Sequence, residues 1–333
     1  MRAVEIPKYG APEVLRVVER EDPVAGPGQV LIDVAACGVN FADTLARVGL
    51  YADAPKPPMV VGYEVAGTII DIGDGVDPLR HGERVMAGIQ FGGYASRVAV
   101  AAADAIPLAE WLTFEQGAAI PVNYATAWAA LIGYGSLREG EKVLIQAAAG
   151  GVGMSATQLA KRFGAEVWGT ASPGKHDAIR ANGVDHAVDY RKDKWWEGLP
   201  QFDVILDAIG GRQFKRSYAM LRAGGRLVAY GASSVSTGEK RSYRRALPEA
   251  LPMMRGFNLI DQMQESKAVI GLNMLTLWKD RGTLEPWIAP LNELIEDGTV
   301  QPVVSDAVPF DNAAEAHRII GERRNVGKVV LIP

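Results

Sequence analysis

The sequence predicts an α/β protein in which a β-rich domain is interrupted by a doubly wound parallel-sheet domain. Three observations predict it. The first 120 residues carry short strand-like runs parted by glycine and proline turns, strands alternate with helical stretches after Pro121, and the chain turns β-like again from Val300. At roughly 150 residues per domain, 333 residues suffice for two cores. The expected division is 1–121 with 274–333, and 122–273 between them.

In the first part, Val30 to Val34, Gly67 to Ile72 and Glu83 to Met86 read as strands. Gly26-Pro27-Gly28 and Gly73-Asp74-Gly75 read as the turns between them. Past Pro121 comes the apolar run Val143 to Gln146, a Gly/Ala loop, and a helix from Met154 to Phe163. A strand at Glu166 to Thr170 and a helix at Lys175 to Asn182 follow. Further strands are expected at Val184 to Val188, Phe202 to Ala208, Arg226 to Tyr230 and Lys267 to Met274, with a terminal one in Gly327 to Ile332.

Composition narrows the function. With 35 Lys plus Arg against 39 Asp plus Glu, the net charge of -4 gives no general pull toward nucleic acid. Cys37 is the only cysteine, which excludes an intrachain disulfide and a cysteine-rich zinc lobe and suits a small core residue. The start, Met1 to Pro7, lacks the apolar core of a signal peptide. The longest charge-free stretch, Gln116 to Leu137, is interrupted by Pro121, Asn123 and Thr126, so it reads as a buried element rather than a membrane span. A cytoplasmic protein with no nucleic-acid partner and no membrane association is expected.

The segment Gln146-Ala147-Ala148-Ala149-Gly150-Gly151-Val152-Gly153 lies between a predicted strand and a predicted helix. Small residues let the backbone approach a pyrophosphate, and the helix N-terminus offers free N–H groups. Ala148 stands where the first glycine of G-x-G-x-x-G would be; the strand–loop–helix setting supplies the rest of the argument. The next strand ends Thr170-Ala171-Ser172-Pro173-Gly174-Lys175, with no carboxylate at its tip to hold ribose hydroxyls. A hydroxyl and an ammonium there suit a 2′-phosphate, so the expected cofactor is NADPH. Glu166 sits at the opposite end of that strand.

Over essentially its whole length the sequence resembles the medium-chain dehydrogenase/reductase superfamily. The segment Ala36-Cys37-Gly38-Val39-Asn40-Phe41-Ala42-Asp43 resembles the one that carries a catalytic zinc ligand in alcohol dehydrogenases, with Asn40 at the cysteine's position. Gly62-Tyr63-Glu64 stands where those enzymes have Gly-His-Glu. Amide and phenol are poor zinc ligands, and His81, His176, His186 and His317 show no ligand spacing, so no metal is expected. This loss resembles the quinone oxidoreductase branch, and within it the synaptic-vesicle membrane protein homologues. Gly49-Leu50-Tyr51, Gly169 to Ser172, Lys175-His176, Val188-Asp189-Tyr190 and Asn325 to Val329 carry that likeness. The implied fold is a GroES-like β domain plus a Rossmann domain.

The resemblance also implies roles. Asn40 would lie near the nicotinamide and donate to cofactor or substrate oxygen, or simply brace its loop. Thr126 would touch the nicotinamide side, or pack within its helix. Gly150, Gly151, Val152 and Gly153 would hold the pyrophosphate, while Ser172, Lys175 and Tyr190 would surround the 2′-phosphate or adenine. Gly231, Ala232 and Ser233 end a strand where open α/β sheets bind ligands, and Asn325 would reach back to the cofactor. Tyr51 is the candidate proton donor, or a substrate contact, beside a developing enolate; Tyr63 is a cleft residue or a filler of the vacated metal pocket. The implied activity is hydride transfer from NADPH to a quinone or an α,β-unsaturated carbonyl. An enoyl-thioester reductase, an NADPH-binding lipid- or partner-binding protein with little turnover, and a zinc alcohol dehydrogenase are the alternatives. The insertion Ser233 to Gln264, with Lys240 to Arg245 and Met253-Met254, reads as a solvated loop or a lid. Trp195-Trp196 reads as packing, and an edge strand around Val269 to Asn273 suits a homodimer.

Overall fold

The protein is described from a computed structural model covering residues 1–235, 248, 249, 251 and 256–333. Strand β3 (Gln29–Val39) is the spine of the first unit, burying Val30, Ile32 and Val34 while Asp33 faces water. It joins a seven-stranded sheet in the order β15-β16-β3-β5-β6-β8, built with β5 (Glu64–Ile72), β6 (Arg84–Gly88), β8 (Ala105–Pro107), β15 (Val304–Pro309) and β16 (Lys328–Ile332). Strand β7 (Arg97–Ala101) also pairs with β3. A smaller sheet runs β2-β1-β4, from β2 (Arg16–Glu19), β1 (Arg2–Ile6) and β4 (Met59–Val60). Because Val330 of β16 sits opposite Gly38 of β3, the C-terminal strand lies against the strand that leads into Asn40 and helix α1 (Phe41–Arg47).

The second unit is a six-stranded parallel Rossmann sheet in the order β11-β10-β9-β12-β13-β14. Its strands are β9 (Lys142–Ile145), β10 (Glu166–Ala171), β11 (His186–Asp189), β12 (Phe202–Asp207), β13 (Leu221–Ala229) and β14 (Ala268–Gly271). The centres of β9 and β12, Val143 to Ile145 and Val204 to Leu206, are apolar and fully buried, as a sheet covered on both faces requires. Helices α4 (Gly151–Arg162), α5 (His176–Ala181) and α6 (Gln213–Ala219) follow β9, β10 and β12. The strand order reverses at β9, which opens a crevice at the C-terminal ends of these strands. Helix α2 (Phe114–Gly117) and the buried helix α3 (Pro121–Trp128) join the units, and α3 packs on α4.

Several boundaries differ from the sequence expectation for physical reasons. Helix α4 starts at Gly151 rather than Met154, because close packing on the loop overrides the low helix propensity of glycine. Strand β13 begins at Leu221, and β11 only at His186. Strand β14 stops at Gly271, since Asn273 accepts the Leu275 N–H at 3.0 Å and caps α8 (Met274–Arg281). Helix α7 (Leu259–Glu265) precedes β14, α9 (Glu285–Ile288) and α10 (Asn292–Glu296) follow α8, and α11 (Ala313–Gly321) links β15 to β16. Lys240 to Arg245, Met253 and Met254 lie outside the described residues. Among the described residues, no helix is long and apolar enough to cross a membrane.

Candidate cofactor and catalytic site

The loop after β9 is held in a tight shape by its own backbone. Ala147 adopts φ +54°, and the Gly150 N–H donates to the Ala147 carbonyl at 2.9 Å. A Cβ on Gly153 would run into the Ala147 carbonyl and come within 2.7 Å of Ala148 Cα. One on Gly151 would meet the Asn123 amide at 2.5 Å. These two glycines therefore let α4 pack close to the loop, while a Cβ on Gly150 would meet only the Ala147 carbonyl oxygen, at 3.3 Å. Val152 lies in the first turn of α4, whose free N–H groups face an incoming anion. From the far end of the chain, the Gly327 N–H donates to the Ala149 carbonyl at 2.8 Å and clasps the loop.

A cavity of about 300 Å³ opens beside Gly150. Ser172, Lys175, Tyr190, Ser233 and Asn325 line it together, joining residues far apart in sequence. Lys175 Nζ donates to the carbonyls of Arg323 and Asn325, at 2.7 and 2.5 Å. Burial first, then Arg191 and Arg323, lowers the pKa of that ammonium. Arg216 and Arg323 add two more cations to the wall, and among the described residues no carboxylate lines it. Glu166 is elsewhere, accepting from or facing His186 Nε2 at 2.8 Å at the opposite end of the sheet. Gln213 Nε2 is buried without a hydrogen-bond partner and its residue lines this cavity, an amide donor awaiting a ligand oxygen.

Below the cavity, Gln146 Nε2 donates to Ser217 Oγ at 2.6 Å, and Ser217 Oγ donates to Asp207 Oδ2 at 2.7 Å. Asp207 also accepts the Ile209 and Gly210 N–H groups, which sets the turn after β12. The small loop residues, the cations and the orphan amide together fit a phosphorylated dinucleotide. Trp195 and Trp196 both pack against the Phe202 and Leu221 core, as expected; Trp195 also lines the cavity, and Trp196 stacks under the Arg216 guanidinium at 4.0 Å. Gly231 and Ala232 follow β13, and a Cβ on Gly231 would lie 2.9 Å from the Ala208 carbonyl oxygen. Thr126 is buried and donates to the Val122 carbonyl at 2.6 Å, so its proton is committed within α3.

The second cluster lies where α1, β5 and β16 meet. Asn40 Nδ2 donates to Glu64 Oε1 at 3.0 Å, and Lys328 Nζ donates to Asn40 Oδ1 at 2.7 Å. Lys328 and Glu64 also form a buried ion pair, and Glu64 Oε2 accepts the Val122 N–H at 2.7 Å. Asn40 thus braces its loop and retains one amide proton for other use. Tyr51 and Tyr63 meet edge to face with ring centroids 6.4 Å apart, and Phe91 packs on Tyr63 at 5.2 Å. Burial, then Asp53 and Asp43, push the Tyr51 phenol up to about 12, so it keeps its proton at neutral pH. Burial raises Tyr63 as well, and its hydroxyl is buried without a hydrogen-bond partner.

Asp43, whose place in the sequence signals no role of its own, is the buried joint of this region. It accepts from the Asn40 N–H at 2.7 Å, the Gly62 N–H at 3.1 Å and the Tyr94 hydroxyl at 2.9 Å, while burial pushes it up to about 7. The residues do not fit zinc. An amide and a phenol stand at two ligand positions, and the neighbouring carboxylate is taken by an ammonium. Among the described residues, no three His, Cys, Asp or Glu side chains gather to hold a metal. Cys37 is fully buried in β3, with its thiol pKa raised by burial.

Comparison with known proteins adds the family. Residues 182–331 match the zinc-binding dehydrogenase family model, and residues 26–110 match the alcohol dehydrogenase GroES-like domain. Human synaptic vesicle membrane protein VAT-1 homolog is 34% identical, the match covering 100% of this chain and 86% of the relative. Human quinone oxidoreductase is 33% identical across 100% of this chain and 98% of its own. The structure of Escherichia coli quinone oxidoreductase complexed with NADPH superposes with a TM-score of 0.84 at 29% identity, covering 100% of both chains. With the GroES-like unit, the parallel Rossmann sheet and amide and phenol in place of zinc ligands, the chain belongs to the medium-chain dehydrogenase/reductase superfamily, in its quinone oxidoreductase and VAT-1 homologue branch.

Proposed function

We propose that the protein is a zinc-independent, NADPH-dependent oxidoreductase that delivers hydride to a quinone or an α,β-unsaturated carbonyl. The observation that carries this reading is the cavity beside Gly150, lined by Lys175, Arg216 and Arg323 and, among the described residues, by no carboxylate. That charge pattern favours a 2′-phosphate over free ribose hydroxyls. The similar Escherichia coli quinone oxidoreductase is complexed with NADPH. In this reading residues 122–273 hold the cofactor, while 1–121 and 274–333 supply the acceptor cleft.

When bound, NADPH supplies the hydride. Gly150, Gly151, Val152 and Gly153 would cradle the pyrophosphate, and Ser172, Lys175 and Tyr190 would take the adenosine end. Asn325, Ser233, Gly231 and Ala232 would border the path toward the nicotinamide, and Thr126 would contact it. Asn40 offers its remaining amide proton to a carbonyl oxygen of cofactor or acceptor. Tyr63, whose buried hydroxyl lacks a partner, gains one when an acceptor oxygen arrives. Tyr51 is protonated at neutral pH and passes its proton to the enolate carbon or the quinone oxygen, balancing the hydride. Positioning and polar donors stabilise the developing oxyanion without a metal.

The protein acts in the cytoplasm as a homodimer. The exposed edge of the parallel sheet at β14 lies next in sequence to α7, which presents Leu259, Ile260 and Met263 to solvent. A two-fold pairing there would cover both. The test is a panel of quinones and enones with NADPH and NADH in parallel, followed at the nicotinamide absorbance. Turnover with NADPH in either acceptor class supports the reading, and background rates across both classes reject it.

A further inference from the structure

Glu64 and Lys328 sit on neighbouring parts of the same interior, with side chains 0% and 2% exposed. Between them lies the Asn40 amide. An ammonium can only donate and a carboxylate can only accept, so the amide has one allowed orientation between these two charges. Its oxygen faces Lys328 and, in the capping box of α1, the Asp43 N–H, while its nitrogen faces Glu64, leaving one N–H proton uncommitted.

The same pair is wired to both halves of the site. Glu64 Oε2 accepts the Val122 N–H at the start of α3. Lys328 follows Gly327, whose N–H holds the Ala149 carbonyl of the dinucleotide loop. Asn40's own backbone is fixed separately, by Asp43. Its side chain therefore depends on the charge pair, while its position in the loop does not.

We propose that Lys328 and Glu64 are a positioning pair, whose opposite charges select which end of the Asn40 amide meets the cofactor and acceptor. The pair sets the orientation of a donor that touches the reacting groups and takes no part in bond making itself. A purely structural clasp between β5 and β16 is the competing account. The two differ when both charges are removed. A lone buried charge disrupts the fold, whereas loss of both is tolerated far better. Once both charges are gone, the amide keeps only its capping contact with the Asp43 N–H, and nothing on the Glu64 side fixes its nitrogen as an anion does.

The test compares Lys328→Met, Glu64→Gln, the double variant and Lys328→Arg. Thermal unfolding is measured together with the Asn40 side-chain amide signals of cofactor-free protein carrying ¹⁵N-labelled asparagine. Those signals are assigned by their loss in Asn40→Ala. Each neutralised single variant is expected to melt earlier, and the double variant to recover most of that loss. In the double variant the Asn40 signals move or broaden, and kcat with NADPH stays about tenfold to hundredfold below the parent. The KM for NADPH changes by less than about threefold, because binding groups are intact. Lys328→Arg, which keeps a donating cation, restores the parent amide signals in part and raises kcat above that of Lys328→Met. A double variant with parent-like kcat, or with unshifted Asn40 signals, overturns the proposal. The kinetic arm rests on the hydride-transfer reading. If the parent reduces no quinone or enone, that reading fails, and the amide signals with the unfolding data still decide the role of the pair.

Discussion

Tyr94 donates its phenol proton to Asp43 Oδ2 across 2.9 Å, and this bond completes a buried relay that begins at Arg47. Arg47 Nε donates to His317 Nδ1 at 3.1 Å, which leaves the imidazole proton on Nε2, 3.3 Å from the Tyr94 oxygen. A cation at one end and a carboxylate at the other are thus linked through two neutral groups, every donor meeting an acceptor. Asp43 in turn holds the Asn40 and Gly62 N–H groups, so the relay joins helix α11 to both loops of the vacated metal position.

The relay predicts a pH dependence of stability. Burial, then Arg47, holds the His317 pKa well below its ordinary 6.5. As pH falls through that ordinary value, the unfolded chain takes up a proton that the folded imidazole refuses, so the contribution of His317 is lost on acidification, while Asp43, raised to about 7, contributes in the opposite direction. His317→Gln removes this one contribution. Its melting temperature, measured from about pH 8 to about pH 5, should fall less than the parent's.

Tyr51 predicts a difference between acceptors. Tyr51→Phe should lower enone reduction by about 10²- to 10⁴-fold, since protonation at carbon needs a positioned acid. Quinone reduction should fall less, because solvent can protonate an oxygen. With the Tyr51 phenol raised to about 12, this residue gives parent kcat/KM on an enone no inflection through the neutral range. Steady-state rates on one member of each acceptor class check both statements.

The glycine loop predicts an order of damage. Gly153→Ala drives a methyl group into backbone that cannot yield, and should cost about 1–3 kcal/mol in urea unfolding together with NADPH affinity. Gly150→Ala is milder, since the nearest atom to its added carbon is the Ala147 carbonyl oxygen at 3.3 Å. Fluorescence titration of NADPH into both variants gives the comparison.

Cofactor preference should follow charge. Lys175→Ala is expected to weaken NADPH binding by about tenfold to hundredfold, the size of one or two charge-assisted hydrogen bonds. NADH binding should change little. That control matters because Lys175 also ties down the Arg323 and Asn325 carbonyls, and a loosened wall would weaken both nucleotides. Arg323→Ala should shift the preference in the same direction.

By itself the sequence determined what depends on neighbours along the chain. Apolar runs at Val143 to Ile145 and Val204 to Leu206 sit in buried parallel strands, because the centre of a strand covered on both faces must be apolar. The Gly/Ala loop between a strand and a helix was legible for the same local reason. The absence of a carboxylate after β10 could also be read directly. Tertiary structure alone decided what those residues meet. Lys328 and Glu64 are 264 positions apart, and nothing in the spacing of either announces the other. Gln213, Arg216 and Trp195 reach the cavity only because α6 and the segment after β11 fold over it. His317, unremarkable among scattered histidines, acquires its tautomer from Arg47 and Tyr94. Periodicity reports how a backbone folds locally, but the partner of a buried charge or amide is chosen by chain closure, when water is expelled and each polar group must bond to whatever the fold has brought beside it.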